Sequence, residues 1–98
     1  MVDINWTYEA EKWLKDIHDY IALDNPLAAK RVIKGIYDKA QILKKFPKIG
    51  HKYHSDFKKD IRILLYGHYR IAYLIKPDRD IDILGVFHGA LDIDKYLF

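Results

Sequence analysis

An arginine stands in the middle of a stretch that otherwise reads as the interior of a sheet. The stretch LLYGHYRIAYLI covers residues 64–75, and Arg70 lies near its centre. A guanidinium buried without a partner is costly, because arginine does not shed its charge in proteins. The fold must therefore supply a carboxylate, a strand end near solvent or a bound anion. Arg70 is accordingly a candidate for holding a phosphate or a carboxylate through its fork of donors.

The strand that follows Arg70 decides which groups lie beside it. A structural role would pair the guanidinium with a carboxylate such as Asp82 or Asp92. The turn KPDRD joins the two strands, and it allows Arg70 to lie opposite either Phe87 or His88. Only the second register places Arg70 and His88 on one face of the sheet, and the sequence leaves the choice open.

Histidines are the other candidates for acid–base chemistry, since their ordinary pKa lies near neutrality. The chain has 5 of them: His18, His51, His54, His68 and His88. His88 or His54 could serve as the general acid or base of an RNA-cleaving site. His51 and His54 would share a metal ion only on a helix, which Gly50 opposes. The chain has no cysteine, which rules out a thiolate site, and a histidine pair without a well-placed carboxylate is a weak metal signal. We therefore predict no metal site, and with no phosphate-cradling glycine loop we predict no cofactor.

Positive charge is concentrated in the middle of the chain. The formal net charge is +3, and lysines and arginines dominate residues 30–62. The ends of the chain are acidic by comparison. This distribution suits an acidic protein segment or a nucleic acid as partner, although a solvated helix face gives the same pattern. The basic residues that we single out are Lys30, Arg31, Lys34 and Arg62.

Length and composition indicate one domain covering residues 1–98. Half of the residues are hydrophobic and 14% are aromatic, which is enough for a packed core. The N-terminal stretch MVDINWTYEAEKW does not resemble a signal peptide, and no apolar run approaches membrane-spanning length. We therefore expect a cytoplasmic protein with no membrane partner.

Hydrophobic spacing predicts an α+β fold. Residues 2–6 suit a short strand, Thr7 caps a first helix, and Asn25 with Pro26 begins a second helix that continues to Leu43. So short a connection makes the two helices an antiparallel hairpin. Residues 60–66, 68–76 and 80–88 alternate as strands. Residues 51–60 suit a loop with room for a short strand, and the tail suits a short helix or an extended arm. The expected architecture is an N-terminal strand and a helical hairpin packed on one face of a small antiparallel sheet, with the other face available.

The tyrosines fall into two groups, those expected between the helices and the sheet and those expected near solvent. Tyr20, Tyr37 and Tyr73 fall where helices and sheet should meet. The remaining ones of interest lie in segments where exposure would let them stack on bases: Tyr53, Tyr66, Tyr69 and Tyr96.

The order of these signals resembles the RelE/ParE superfamily of type II toxin–antitoxin toxins. The resemblance runs from Trp6 to Asp92 and is carried by WTYEAEKWLKDIHDYIALDNPLAAKRVIKGI, LKKFPKIGH, IRILLYGHYRIAYLI and ILGVFHGALD. It implies a growth-inhibiting toxin, of a kind linked to plasmid stabilisation, that forms a hetero-oligomer with a cognate antitoxin. Antitoxins of this superfamily wrap an acidic amphipathic tail around the toxin, which suits the basic middle of the chain.

Two targets are open within that superfamily. ParE-like members resemble non-catalytic inhibitors of DNA gyrase, and the DNPLAAKR helix entry favours this branch. Arg70, His88, Arg62 and the lysine-rich helix would then contact the target or the antitoxin. RelE-like members cleave mRNA on the ribosome. In that alternative Arg70 holds the scissile phosphate, His88 or His54 transfers a proton, and Tyr96 occupies the place of a C-terminal tyrosine.

One position departs from the pattern of the superfamily. Leu91, in HGALD, stands where a second basic residue is expected. An apolar side chain cannot stabilise the charge of a phosphorane, so this residue lowers the expectation of nuclease activity. It also leaves open an attenuated toxin that acts only in antitoxin binding and co-repression. The ParE-like gyrase inhibitor is our first prediction.

Overall fold

Two helices and a mixed sheet make up the domain, which confirms the predicted α+β class. The computed structural model describes residues 2–53, 59–89 and 93–97. Within them the sheet has five strands in the order β1-β5-β4-β3-β2. In chain order the elements are β1 (Ile4–Trp6), α1 (Tyr8–Ala22), α2 (Pro26–Gln41), a 3-10 turn (Ile42–Lys44), β2 (His51–Lys52), β3 (Asp60–Tyr66), β4 (Tyr69–Ile75), β5 (Ile81–His88) and α3 (Asp94–Leu97).

Both long helices begin where their capping residues predict. The Thr7 hydroxyl accepts a hydrogen bond from the Ala10 amide at 3.1 Å and donates one to the Ile83 carbonyl at 2.7 Å. The first bond satisfies an otherwise unpaired amide of the helix, and the second attaches the start of α1 to β5. Asn25 caps α2 in the same way, with its side-chain oxygen 3.1 Å from the Ala28 amide.

The sheet is antiparallel from β5 to β2 but parallel at its other end. Ile4 of β1 lies opposite Ile81 of β5, and these two strands run in the same direction. The predicted sheet was antiparallel throughout. Because the helical hairpin and three strands separate β1 from β5, no tight turn links them, and a parallel pairing is sterically open.

The main core lies between the helices and one face of the sheet. Ile36 and Ala40 of α2 pack in the same cluster as Ile71 and Ile83, and all four are fully buried. Complete burial of an isoleucine side chain contributes about 1.5–3 kcal/mol. Successive strand residues point to opposite faces, so Arg70, next to Ile71, points away from this core.

A smaller cluster covers part of the opposite face. Ile63, Ala72 and Phe87 are buried there, and Trp13 of α1 reaches the edge of Phe87 with ring centroids 4.9 Å apart. The face that we expected to be available is therefore partly occupied. Within the part of the chain that the structure describes, no helix is both long and apolar enough to cross a bilayer.

Two of the three tyrosines predicted at the junction of helices and sheet are found there. Tyr73 is fully buried, and Tyr37 is half-buried against Trp6, with ring centroids 4.4 Å apart. The prediction for Tyr20 is wrong, because 78% of this residue is exposed to solvent. It lies to one side of the apolar stripe that ends at Ile21 of α1.

Tyr66 and Tyr69 are also placed differently from the prediction. Both are half-buried and pack on the main core, so the expected free stacking platform is absent at these two residues. Gly35 of α2 permits this packing, because a Cβ atom at that residue would lie 1.8 Å from the Tyr66 hydroxyl.

Candidate functional site

Arg70 lies in the middle of the sheet, on the face opposite the main core. It is opposite Leu65 of β3 on one side and Phe87 of β5 on the other. The Arg70 residue is half-buried and its Nε atom is buried. The observed register is thus the one that pairs Arg70 with Phe87, and His88 lies opposite Tyr69. Since neighbouring strand residues alternate, Arg70 and His88 point to opposite faces.

The side chains across the strands from Arg70 are apolar. Leu65 is 56% exposed and Phe87 is buried. A guanidinium that is partly shielded from water attracts an anion more strongly than one in bulk solvent, because the local dielectric constant is lower. Arginine does not release its proton, so this arrangement is suited to binding a carboxylate or a phosphate rather than to proton transfer.

An open groove extends along the same face, towards α1. Its volume is about 630 Å³, and its lining includes Trp13, Ile61, Phe87 and Tyr96. The Tyr96 ring stacks on Phe87 at 5.7 Å and meets the edge of Trp13 at 5.0 Å. Tyr96 is 51% exposed, so the structure brings one predicted site residue beside the cross-strand neighbour of Arg70.

His88 forms a separate group at the end of the β3–β4 hairpin. It is exposed, and its ring centroid lies 6.5 Å from that of His68 and 6.0 Å from that of Tyr69. The Gly89 amide donates to the His68 carbonyl at 2.9 Å, which holds the two histidine-bearing segments together. In residues 2–53, 59–89 and 93–97, no group of three or more side chains could hold a metal ion. The predicted site residue His54 lies outside the described residues, as does Leu91, which stands where a second basic residue was expected.

The predicted basic residues of α2 form a second surface. Lys30, Arg31 and Lys34 are exposed on this helix, which packs on the sheet face opposite to Arg70. Lys34 is 2.6 Å from Asp38, and that hydrogen bond raises the pKa of the lysine. Lys30 and Arg31 are thus the residues of this set that leave most positive charge for a partner.

Arg62 has contacts inside the chain. Its Nε donates to Asp60 Oδ1 at 3.0 Å, and its Nη1 donates to the carbonyls of Gly50 at 3.0 Å and Lys48 at 3.2 Å. Arg62 lies opposite Tyr73 on the side of the main core. Its side chain is 16% exposed, so its contacts within the chain account for most of its donors.

Sequence reasoning missed the role of Tyr73 beside Arg62. The Tyr73 hydroxyl donates to the Pro47 carbonyl at 2.7 Å and accepts from the Gly50 amide at 3.0 Å. The phenol therefore fastens the loop of residues 46–50 to the sheet. Pro47 and Gly50 signalled a turn, but nothing in the sequence links that turn to a tyrosine in another strand.

A family model matches most of the sequence. That model describes the ParE toxin of the type II toxin–antitoxin system parDE, and it matches residues 4–93. The chain belongs to the ParE toxin family. Protein Y4kP of Sinorhizobium fredii, a candidate toxin, is 34% identical to this ParE-family chain over 86 residues, covering 88% of it and 86% of Y4kP.

Solved structures agree with the fold of this ParE-family chain. The chromosomal ParDE toxin–antitoxin system from P. aeruginosa matches with a TM-score of 0.74 and 23% identity, covering 90% of this chain and 96% of the other. The toxin–antitoxin complex RelBE2 from Mycobacterium tuberculosis matches with a TM-score of 0.64 and 20% identity, covering 89% and 96%. The chain is therefore a type II toxin of the RelE/ParE superfamily, as predicted.

Proposed function

We propose that this ParE-family toxin acts in the cytoplasm by binding and inhibiting DNA gyrase, with no hydrolytic reaction of its own. The observation that carries the proposal is the match to the ParE toxin model across residues 4–93. The inhibited enzyme would accumulate as a complex with cleaved DNA, and growth would stop.

The surroundings of Arg70 support a binding role rather than a catalytic one. Nuclease chemistry needs a group near the phosphate that can take up or release a proton. His88, one of the two histidines predicted for that task, points to the opposite face of the sheet from Arg70, and the other, His54, lies outside the described residues. The cross-strand neighbours of Arg70 are Leu65 and Phe87, neither of which can transfer a proton. Arg70 instead supplies a fixed positive charge for a carboxylate on the target or on the antitoxin.

We further propose that a cognate antitoxin neutralises the toxin in a hetero-oligomer. The P. aeruginosa structure of similar fold is a ParDE toxin–antitoxin system. The exposed basic face of α2, with Lys30 and Arg31, suits an acidic amphipathic segment. Such a segment would be attracted by charge and held by contacts with apolar side chains on the same surface.

A reconstituted reaction tests the target. Purified toxin is mixed with gyrase, ATP and relaxed plasmid, and in parallel with ribosomes translating a defined mRNA. We expect lost supercoiling, plasmid DNA linearised after protein digestion, and uncut mRNA. Adding the co-expressed antitoxin should restore supercoiling. Cuts phased with the codons in the mRNA, together with normal supercoiling, would replace gyrase by the ribosome as the target.

Two matched arginine variants connect the result to Arg70. Arg70→Met keeps a side chain of similar length against Leu65 and Phe87 but removes the charge. Arg79→Met makes the same change at the exposed β4–β5 turn. We expect the first variant to need at least about tenfold more protein for the same inhibition, corresponding to one charge-assisted contact, and the second to match the wild type.

A further inference from the structure

The loop between the 3-10 turn and β2 presents large apolar side chains to solvent. Phe46 is 59% exposed and Ile49 is 53% exposed. Together with Pro47 and Lys48 they line an open concavity of about 400 Å³. We call residues 46–50 the FPKIG loop. Adjacent exposed apolar side chains mark a contact surface when they form one patch.

Hydrogen bonds from two side chains of the sheet hold the backbone of this loop in place. The buried Tyr73 hydroxyl bonds the Pro47 carbonyl and the Gly50 amide, while the Arg62 guanidinium bonds the carbonyls of Lys48 and Gly50. The Phe46 and Ile49 side chains gain no burial from this attachment. Its effect is to hold them in one arrangement, which lowers the entropy that a partner must remove on binding.

Gly50 allows the loop to lie close to the sheet. A Cβ atom at this residue would lie 2.7 Å from both the Ile63 carbonyl and the Tyr73 hydroxyl. Any other residue would push the loop away from the sheet. The close approach of loop and sheet thus depends on a residue without a side chain.

The charges along the loop and its flanking residues in the sequence have a single sign. The exposed lysines that flank or belong to it are Lys44, Lys45, Lys48 and Lys52. Residues 39–53 contain no aspartate or glutamate. Such a surface attracts an anionic partner and raises its association rate.

We propose that the FPKIG loop is a docking surface for an acidic protein segment that places one bulky apolar side chain in the concavity. The lysines select the acidic segment, and Phe46, Pro47 and Ile49 select the apolar side chain. A nucleic acid would satisfy the lysines and could stack a base on Phe46, but Pro47 and Ile49 carry no hydrogen-bonding group for a base edge, so a bulky apolar side chain fits the concavity better. The proposal goes beyond gyrase inhibition, since it does not depend on which protein supplies the segment.

The test uses defined probes and the full chain. Fluorescence anisotropy follows a labelled short peptide of aspartates and glutamates around one central tryptophan. A second peptide carries alanine in place of tryptophan, and a third probe is single-stranded oligothymidylate. We expect the tryptophan peptide to bind about tenfold more tightly than the alanine peptide, as burial of one aromatic side chain predicts. Chemical shifts of the labelled protein should change within residues 44–52.

Loop variants and a matched control locate the binding. The double substitution of Phe46→Ala and Ile49→Ser should weaken the tryptophan peptide about tenfold or more, and Lys48→Glu should weaken both peptides. Tyr20→Ser changes an exposed large apolar residue on α1, away from the loop and from the basic face of α2, and should leave binding unchanged. All four residues are exposed, so each protein should keep the wild-type Tm.

Three results would overturn the proposal. They are equal binding of the two peptides, oligothymidylate binding that exceeds peptide binding, and a Tyr20→Ser effect as large as that of the loop variants. None of them bears on gyrase supercoiling, so failure here is separable from failure of the proposed target.

Discussion

Two arginines on neighbouring strands of one sheet have opposite surroundings. Arg62 of β3 points towards the main core and donates to Asp60, Lys48 and Gly50. Arg70 of β4 points to the other face, between Leu65 and Phe87. The sequence places both in apolar strand segments, where they look alike.

The difference shows how one residue type serves two purposes. At Arg62 the planar fork of donors joins a strand to a loop. At Arg70 the same group provides a charge on a face that also holds a groove lined by Trp13 and Tyr96. Strand parity separates the two roles, because Arg62 and Arg70 point to opposite faces.

Exchange of each arginine for methionine gives the largest expected contrast. Arg62→Met should lower the free energy of unfolding by about 3 kcal/mol, because it leaves the Asp60 carboxylate and two carbonyls without their donor. Arg70→Met should lower it by only about 1 kcal/mol, because methionine keeps the apolar contacts with the side chains across the strands, Leu65 and Phe87. Urea unfolding of both variants measures the difference, and equal losses would remove the distinction.

Removal of the Tyr73 hydroxyl tests how much the attachment of the FPKIG loop, which Tyr73 shares with Arg62, stabilises the fold. Tyr73→Phe keeps the ring but leaves the Gly50 amide and the Pro47 carbonyl without this partner. We expect a loss of about 1.5 kcal/mol and faster amide exchange at Gly50. Tyr37→Phe is the matched control, because the Tyr37 hydroxyl bonds the exposed Glu11 carboxylate rather than a loop. An equal loss of stability in the control would show that the loop attachment contributes no more than an exposed hydrogen bond does.

A third arginine provides a reference without either role. Arg79, in the β4–β5 turn, has a φ angle of 77°, a region that suits glycine better than other residues. Arg79→Gly should raise the free energy of unfolding by about 0.5 kcal/mol, the strain relieved less the added entropy of the unfolded chain. Thermal unfolding measures it, and Arg79→Ala should bring no such gain because the φ strain stays.

Alkaline pH is expected to have the smallest effect on stability, because the tyrosines concerned lose their protons only above pH 10. Burial raises the pKa of Tyr73 above its usual 10.0. Burial and the Glu11 hydrogen bond raise that of Tyr37 to about 12. Groups with raised pKa values stabilise the fold fully below the unfolded value, so stability should fall as the pH rises from 10 towards 12. Unfolding midpoints across that range should decline less in the variant that carries both Tyr37→Phe and Tyr73→Phe, and an unchanged decline would contradict this assignment.

Local signals in the sequence were enough for the elements of the fold. Thr7 and Asn25 cap helices because their side chains bond amides three residues away, a contact within one turn of the chain. The strands followed from alternation and the hairpins from their turns. The parallel pairing of Ile4 with Ile81 did not follow, because it joins distant segments without a turn to specify it.

The candidate site was less predictable for the same reason. Arg70 was identified by its contrast with the surrounding strand, but its register against Phe87 or His88 rests on a shift of one residue, and the strands also carry an irregularity between Ala72 and Tyr73. The loop attachment by Tyr73 depends on contacts 23 to 26 residues apart in the chain. Periodicity carries no information on such distances.

The gyrase reaction with Arg70→Met beside Arg62→Met is the most direct test of the central claim. Both variants are compared with wild type at equal concentrations of folded protein, and DNA cleavage complexes are counted. The account predicts that folded Arg70→Met forms far fewer complexes than the wild type, whereas folded Arg62→Met retains them. Full cleavage-complex formation by folded Arg70→Met would contradict it.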